Sequence, residues 1–404
     1  MWHNIFVFEA NMKSFDILKI SERARSSKLN LPLYNATAGM FFADDGNLMT
    51  YDTVRKTLEK ISTTTNFAYP PSIGNGKFLD GLKSFVFGFD ENLKDEFASV
   101  LTLGGTGALS LISDHVKSKN IILPRLLWTN YFSIFHIEKQ DASFYELFSK
   151  ESLKNALSSS LHKNDEPILV INDPAQNPTG YSMSEKEYED LVDVVNNFSK
   201  DKKITLILII ILASFSVLFT FSTNTCLMSL FNNSSIADKF NENVQIYYTF
   251  SASKTFGIYS LRTGCLLFKK NENLLKSFNK IARSTYSCPP TIGNEIIYEI
   301  SSNHELLNKF KQELKNSRSI LVKRGEIAIK TLDELKISHL PYHFGFYISL
   351  YIEKNAYDVC DELESKNCFL VPMDEHHIRV AICSLPTNKI EPALKLLKEV
   401  LNEK

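Results

Sequence analysis

The chain has 404 residues, 44% of them hydrophobic, which is enough to bury one large core or two moderate ones. Its 45 basic and 46 acidic residues leave a formal net charge of -1, so no overall field favours nucleic acid or an anionic membrane surface. The six cysteines show neither CxxC spacing nor a disulfide-dense pattern, which indicates buried thiols, no metal site and a reducing, cytoplasmic compartment.

The N-terminal region mixes apolar and charged positions. Residues 1–13 include the acidic Glu9 and a short apolar run, without the basic start and small-residue cleavage site of a signal peptide. Ser14 is placed to cap a short helix that runs to about Arg25. Gly39 lies in the stretch 35–42, which is typical either of a glycine-containing loop or of an ordinary strand and turn.

Apolar residues three and four apart predict largely helical structure from Thr50 to Leu111. Prolines interrupt this pattern over 69–74, so that stretch, which begins with Tyr69, is predicted to be a loop. The cluster Gly104, Gly105 and Thr106 is predicted to open the last helix of the region. Glycines let a backbone approach a ligand closely, and the free amide groups at a helix start favour a phosphate.

Several apolar runs predict buried strands that end just before polar residues of interest. These runs are 120–123 before Trp128, 168–171 before Asn177 and 244–250 before Lys254. Taken singly, Trp128 is typical of core packing, Asn177 lies in an ordinary Asn-Pro-Thr-Gly turn, and a lone lysine is usually solvated. The stretch 182–199 predicts an amphipathic helix with Ser184 near its start.

In the C-terminal third, 294–335 predicts long helices rich in Glu and Lys. The stretches 344–349 and 377–381 predict two strands. Arg379 is flanked by apolar residues of the second strand, and a buried arginine is costly to leave unpaired. We therefore expect an anionic partner for Arg379.

Several of these segments, in this order, resemble those of the class I/II aminotransferases, fold type I enzymes that use pyridoxal phosphate (PLP). The most specific is S-x-S-K-x-F-G-x-x-x-x-R-x-G, which begins at Ser251 and contains Lys254 and Arg262. The others are Gly-Gly-Thr-Gly-Ala-Leu at 104–109, Trp-Thr-Asn-Tyr at 128–131, Asn-Pro-Thr-Gly at 177–180 and Arg-Ser-Thr-Tyr-Ser-Cys-Pro-Pro at 283–290. The resemblance covers about residues 15–385.

The resemblance implies a PLP-dependent aminotransferase that moves an amino group between an amino acid of the aspartate or aromatic type and a 2-oxo acid. Lys254 would then bind PLP covalently and act as general acid and base. The other cofactor contacts would come from Ser251, Arg262, Gly104, Gly105 and Thr106 at the phosphate, Trp128 at the ring, Asn177 at the phenolic oxygen, and Tyr69 across a homodimer interface.

On the same resemblance, Arg379 would clamp the substrate α-carboxylate and Gly39 would lie in a loop over the substrate pocket. Arg283 of the partner subunit would bind the side-chain carboxylate of a dicarboxylic substrate. The implied fold is α/β, with a mostly parallel seven-stranded sheet in a large domain and a small domain built from both termini. We expect an N-terminal arm and part of the small domain in 1–48, the large PLP-binding domain in 49–300 and the rest of the small domain in 301–404.

The family pattern breaks at one place. Where the family has D-x-A-Y, with the aspartate paired to the pyridine nitrogen, this chain has Ile211 and Ser214, which cannot replace an aspartate and a tyrosine. No charged residue occurs between Lys203 and Asp238 in a chain that is 23% charged. An alternative hypothesis is therefore a PLP-binding homologue with impaired transamination.

A membrane-associated protein is a third hypothesis, because 204–221 holds 18 residues rich in Ile, Leu and Phe. A single span would place Asn177 and Lys254 on opposite sides of a bilayer, although both contact one cofactor in the family. We therefore expect 204–210 to form a buried parallel strand that continues into an apolar segment, and membrane association to be absent.

Overall fold

The computed structural model describes residues 16–64, 67–87, 90–147, 149–161, 163, 165–200, 202–210 and 236–403. The chain divides into two compact units. The terminal unit comprises the described residues up to Asn47 together with Lys323–Leu340 and Phe346–Lys404, and the central unit comprises Leu48–Val322 with Pro341–Gly345.

The strands and helices are numbered along the chain. The strands are β1 (Tyr34–Asn35), β2 (Phe97–Leu103), β3 (Ile121–Pro124), β4 (Ser143–Tyr145), β5 (Ile168–Asn172), β6 (Ile204–Ile209), β7 (Val244–Ser251), β8 (Thr263–Lys269), β9 (Tyr347–Tyr351), β10 (Cys368–Phe369), β11 (Val371–Pro372) and β12 (His377–Ala381). The α-helices are α1 (Ile17–Ser26), α2 (Asp52–Ile61), α3 (Gly76–Val86), α4 (Glu91–Glu96), α5 (Gly104–Val116), α6 (Asn130–Phe135), α7 (Lys150–Leu161), α8 (Glu185–Phe198), α9 (Ala252–Thr255), α10 (Glu272–Thr285), α11 (Ile292–Ser301), α12 (His304–Leu335), α13 (Ala356–Ser365) and α14 (Thr387–Asn402).

A seven-stranded sheet in the order β2-β8-β7-β6-β5-β3-β4 forms the core of the central unit. The strands from β4 to β7 in this order pair in parallel, whereas β8 is antiparallel to both β7 and β2. Because two antiparallel steps restore the direction, β2 runs the same way as β7. The structure confirms the predicted α/β fold with a mostly parallel seven-stranded sheet.

The central strands are buried along their length. Every residue of β6 is buried, as expected for a parallel strand with both faces covered, and its sequence Ile-Thr-Leu-Ile-Leu-Ile is correspondingly apolar. The predicted strands before Trp128, Asn177 and Lys254 are confirmed as β3, β5 and β7. The strand predicted over 204–210 is confirmed by β6, while 211–221 lies outside the described residues.

The prediction of largely helical structure from Thr50 to Leu111 is wrong for Phe97–Leu103, which forms β2. This strand pairs with β8 from Phe97 opposite Lys269 to Leu103 opposite Thr263. Phe97, Val100 and Leu101 are fully buried at spacings of three and four, which imitate a helical period. The long-range pairing with β8 overrides that local pattern.

Two helix starts show how side chains cap the backbone. The helix predicted to run to about Arg25 is confirmed as α1, but its cap is Asp16, whose Oδ1 accepts hydrogen bonds from the amides of Leu18 and Lys19. Ser14, the predicted cap, lies outside the described residues. At α8, Ser184, predicted to lie near the helix start, is the cap and forms a capping box with Glu187.

The terminal unit contains two small sheets. One is the antiparallel sheet β11-β12-β9, in which Arg379 pairs with Ser349, and the other is the parallel pair β1-β10. Both predicted strands are therefore present, although the first begins at Tyr347 and not at Phe344. Gly345, with a φ of 115°, precedes that strand and accounts for its later start.

The described cysteines are free thiols: Cys265, Cys360, Cys368 and Cys383 are buried and Cys288 is half-buried. Cys226 lies outside the described residues. Among the helices that the structure describes, none has both the length and the apolar character needed to cross a membrane.

Arg324 is a buried charge in the terminal unit, with its side chain fully removed from solvent. Its Nη2 donates to Phe42 O at 2.8 Å and to Asp44 Oδ1 at 2.7 Å, and its Nη1 donates to Cys383 O at 3.0 Å. These groups come from the loop after β1 and from the segment after β12. Arg324 therefore links three separate parts of the chain.

We predict that Arg324→Met lowers the free energy of unfolding by about 1 to 3 kcal/mol, because the Phe42 carbonyl loses the Arg324 donor. The Cys383 carbonyl and the Asp44 carboxylate each lose one donor but keep Phe42 N and Thr387, respectively. Lys323→Met, which changes the adjacent exposed cation, should stay within about 0.5 kcal/mol of the unmodified protein. Urea denaturation followed by circular dichroism measures both. Equal stabilities of the two variants would contradict this role of Arg324.

Candidate active site

Most of the predicted cofactor-site residues lie at one edge of the large sheet, the edge formed by the carboxyl ends of its parallel strands. β2, β3, β5 and β7 run in the same direction, and their carboxyl ends lead to Gly104, Trp128, Asn177 and Lys254, respectively. Arg262 immediately precedes β8, which starts at this edge because it is antiparallel to β7. Ligands of open α/β sheets bind at such an edge, beyond the carboxyl ends of the strands.

Close backbone approach brings three of these segments together. A Cβ added to Gly104, which has a φ of 67°, would lie 2.6 Å from Nη2 of Arg262. A Cβ added to Gly264 would lie 2.6 Å from Phe250 O and 2.7 Å from Cα of Gly104. Real Cβ atoms do not approach backbone atoms so closely, so the contact at Gly264 requires glycine, and the positive φ of Gly104 favours glycine there.

The hydroxyl groups of two serines complete this cluster. Ser251 caps α9, and its Oγ lies 3.2 Å from Ser253 Oγ, to which it donates. Arg262 Nη1 donates to the same Ser253 Oγ at 3.2 Å and to Tyr259 O at 3.0 Å. Ser253 was not singled out from the sequence, although its position as the second serine of the S-x-S-K motif was an available signal.

This cluster, which we call the anion cradle, consists of Gly104, Ser251, Ser253 and Arg262. α5 has 13 residues and begins at Gly104, so the positive end of its dipole and its first amide groups lie here. A guanidinium, serine hydroxyls and a helix start are the groups that proteins use to bind phosphate. The residues of the cradle therefore fit the phosphate of PLP.

Lys254 stands beside the cradle on the short helix α9. Its side chain is half-buried, and Nζ lies 4.8 Å from the ring centroid of Tyr259. Phe256, directly after α9, stacks on Phe310 with a centroid distance of 4.5 Å and an interplanar angle of 10°. The backbone that carries Lys254 is therefore fixed by the packing of Phe256 on Phe310.

Trp128 lies in the connection after β3 and is half-buried. Its ring packs edge-on against Tyr131, at a centroid distance of 5.6 Å. The hydroxyl of Tyr131 accepts a hydrogen bond from Nδ2 of Asn172 at 3.4 Å, at the end of β5. Trp128 therefore packs next to a polar contact between α6 and the end of β5.

Asn177 lies in the turn between β5 and α8 and is half-buried. Asp173 anchors this turn to α8, because its carboxylate accepts hydrogen bonds from Met183 N at 2.7 Å and from the Tyr188 hydroxyl at 2.6 Å. Burial raises the pKa of Asp173 to about 7, although both hydrogen bonds favour its charged form. Asp173 was not singled out from the sequence.

Two predicted site residues of the central unit, Tyr69 and Arg283, are exposed. Tyr69 is 93% exposed in the loop before α3, and nearby Phe67 is 92% exposed. Arg283 is exposed in the last turn of α10. Gly105 and Thr106 follow Gly104 in the first turn of α5, so they belong with the cradle.

The terminal unit holds Arg379 and Gly39. Arg379 is 3% exposed, and burial lowers the pKa of its guanidinium. Its Nη2 donates to Thr37 O at 2.7 Å, and its Cζ lies 4.6 Å from the ring centroid of Tyr347. Gly39 follows two residues after Thr37 and is half-buried. Ile211 and Ser214, the residues at the break in the family pattern, lie outside the described residues.

Comparison with known proteins agrees with this geometry. The family described as Aminotransferase class I and II matches residues 38–397. The chain belongs to this family. Its fold is also similar to that of an aminotransferase from Anaerococcus prevotii, with a TM-score of 0.86, 23% identity and coverage of 100% of both chains.

The chain is also similar to other aminotransferases. The chain is 21% identical over 75% of its length to L-tyrosine:2-oxoglutarate aminotransferase of Aspergillus ustus, and 25% identical over 70% to the mitochondrial aspartate aminotransferase of Arabidopsis thaliana. The matches span 61% and 66% of those two relatives. The fold is also similar to that of an aromatic-amino-acid aminotransferase from Burkholderia pseudomallei, whose structure has pyridoxal phosphate covalently bound. The TM-score is 0.77 and the identity 21%, with coverage of 98% of this chain and 100% of that one.

We predict that the buried carboxyl of Asp173 makes stability depend on pH. Its folded pKa of about 7 lies above the value of about 3.9 for an unfolded chain, so its contribution to stability is complete below about pH 4 and is lost as the pH rises through about 7. Relative to Asp173→Asn, the unmodified protein should lose about 4 kcal/mol of unfolding free energy over that range.

Urea denaturation at several pH values measures this difference. The matched control is Asp193→Asn, which changes an exposed carboxylate on α8 and should leave the pH dependence as it is. Parallel pH profiles of Asp173→Asn and the unmodified protein would contradict the prediction.

Proposed function

We propose that this family member is a PLP-dependent aminotransferase that moves an amino group between an amino acid of the aspartate or aromatic type and a 2-oxo acid. The anion cradle beside Lys254 carries the proposal, because it joins a phosphate-binding arrangement to an amine on one rigid edge of the sheet. The relatives named for tyrosine and 2-oxoglutarate and for aspartate support the substrate class.

In the proposed complex, the cradle with the amides of Gly105 and Thr106 binds the phosphate of PLP. Trp128 packs against the ring, Asn177 donates to the phenolic oxygen, and Lys254 binds covalently. When bound, PLP supplies an electron-accepting ring that stabilises negative charge at the substrate Cα. Lys254 would act as the general base that takes the proton from the substrate Cα and then as the general acid of the 1,3-proton shift.

Arg379 is proposed to bind the α-carboxylate of the substrate through its planar guanidinium. The contacts with Thr37 O and the Tyr347 ring support this role, because they hold the guanidinium in one orientation within a buried strand. We further propose that the loop containing Gly39 covers the substrate, and that Arg283 of the partner subunit binds a second carboxylate. These roles make dicarboxylic amino acids the preferred substrates.

A homodimer is part of the proposal, because Tyr69 is assigned to the cofactor of the partner subunit. The exposure of Tyr69 and nearby Phe67 supports an interface at this loop, because neighbouring exposed aromatic side chains can form an apolar patch of the kind that a partner covers. Light scattering of the purified protein measures the mass of the assembly. The cytoplasm stays the predicted location.

A PLP-binding homologue with impaired transamination is the second candidate. The replacement of the aspartate by Ile211 favours it, because an alkyl group cannot pair with a protonated pyridine nitrogen. Asp173 is the buried carboxylate at the end of the neighbouring strand β5, and its two oxygens are engaged by Met183 and Tyr188. The two candidates share the binding residues and differ in the predicted rate.

We predict that the purified protein binds PLP covalently through Lys254. After incubation with PLP, borohydride reduction and desalting, the absorbing adduct should stay with the peptide that contains Lys254. Lys254→Ala should lose the adduct, whereas Lys270→Ala, which changes an exposed lysine after β8, should keep it. A colourless protein, or an adduct on another lysine, would contradict the proposed cofactor site.

We predict that transamination of aspartate or an aromatic amino acid with 2-oxoglutarate is slow in the unmodified chain. Removing one preorganised partner of a developing charge typically costs about 100- to 1000-fold in rate. Ile211→Asp combined with Ser214→Tyr should therefore raise kcat, because the carboxylate would keep the pyridine nitrogen protonated.

The matched control is Ile211→Asn with Ser214→Tyr, which has the same shape but no charge and should stay slow. Single-turnover and steady-state rates of all three proteins provide the measurement. Fast turnover by the unmodified chain would show that another residue serves the pyridine nitrogen, and it would eliminate the impaired homologue as a candidate.

A further inference from the structure

Gln176 lies in the turn after β5, immediately before Asn177, and only 1% of its surface is exposed. Its Nε2 donates to Leu126 O at 2.8 Å. Its Oε1 accepts from Thr179 N at 3.0 Å and from Thr179 Oγ1 at 2.6 Å. A primary amide both donates and accepts, so one side chain satisfies groups on two different segments.

The segment reached through Leu126 is the one that carries Trp128, two residues further along the chain. β3 and β5 are adjacent and parallel, with Ile121 opposite Ile168, so their connections leave the sheet at the same edge. The hydrogen bond from Gln176 to Leu126 therefore joins the Trp128 connection directly to the Asn177 turn.

The conformation of the Gln176 side chain depends more on its hydrogen bonds than on close packing. It lines a cavity of about 140 Å³, whose wall also includes Tyr145, Asp173 and Tyr181. Protein interiors are normally packed too closely for alternative rotamers, but a side chain beside open space has room for them. Without its three hydrogen bonds, the side chain at this position would not hold the two segments together.

We propose that Gln176 is a positioning residue that sets the Trp128 segment against the Asn177 turn. This inference rests on the proposed function, in which Trp128 and Asn177 contact the cofactor. Lys254 and the anion cradle belong to β7, β8 and the start of α5, so they keep their places when Gln176 changes. Loss of Gln176 therefore weakens the contacts to the ring of PLP and leaves the phosphate contacts intact.

The test begins with Gln176→Met in the full chain, which keeps the length of the side chain and removes its hydrogen bonds. The sequence has two tryptophans, so a Trp2→Phe background makes Trp128 the sole tryptophan reporter. In PLP-free protein, Gln176→Met should shift Trp128 emission to the red and increase its quenching by acrylamide. In loaded protein, the PLP dissociation constant should rise about tenfold and kcat should fall about tenfold, with a smaller change in the amino-acid KM.

Two further variants test the donor and the acceptor of the Gln176 amide separately. Gln176→Glu keeps an acceptor for Thr179 but loses the donor to Leu126 O, so it should disturb Trp128 fluorescence as Gln176→Met does. Thr179→Val removes one bond to Oε1 and the bond that Thr179 Oγ1 accepts from Tyr181 N, but it leaves the bond to Leu126. The fluorescence of Trp128 should therefore stay close to that of the unmodified protein. The matched control is Gln245→Met at the opposite edge of the sheet, where Nε2 donates to Ile246 O at 3.2 Å.

The outcomes decide the role of Gln176 whether or not every variant folds. If Gln176→Met does not fold, the comparison of Gln176→Glu with Thr179→Val still decides it. Equal Trp128 signals in those two variants, or an unchanged signal and PLP constant in Gln176→Met, overturn the proposal. A wild-type chain that neither binds PLP nor transaminates refutes the proposed function, whereas the fluorescence of the PLP-free variants still tests Gln176.

Discussion

Gly104 and Gly264 allow the start of α5 to lie against β7 and β8, and the arrangement of the candidate site depends on this close contact. A side chain at either position would overlap with backbone atoms or with the Arg262 guanidinium at distances of 2.6 to 2.7 Å. Because the contact is possible, the positive end of the α5 dipole, the guanidinium and two serine hydroxyls meet at one point. Lys254, three residues after Ser251, then lies next to the anion cradle.

The terminal and central units each contain a buried ionisable side chain, Arg324 and Asp173, in different surroundings. Arg324 is surrounded by carbonyl oxygens and the Asp44 carboxylate, so its charge is compensated and links distant segments of the terminal unit. Asp173 accepts hydrogen bonds from an amide and a hydroxyl, and burial still raises its pKa to about 7. The turn that carries Asn177 is therefore anchored by a group whose charge changes near neutral pH, which couples the stability of this turn to pH.

The replacement at Ile211 affects the expected rate of transamination and not the expected binding of PLP. The proposed phosphate, ring and phenolic-oxygen contacts come from segments after β2, β3, β5 and β7, none of which contains the altered residues. A lost partner for the pyridine nitrogen acts only where negative charge develops during the reaction. A chain that binds PLP firmly and turns over slowly is consistent with all of these residues.

The sequence by itself determined the family resemblance, the order of the cofactor segments and most buried strands, because motifs and apolar runs such as β6 are local properties. Its helical prediction failed at Phe97–Leu103, where apolar residues at spacings of three and four pair instead with β8 across a long stretch of chain. Only the tertiary structure could decide that Ser253 joins Arg262, that Gln176 reaches Leu126, and that Asp173 is buried against α8. These contacts depend on which strand ends are neighbours in the sheet, and strand order is a long-range property that no single segment encodes.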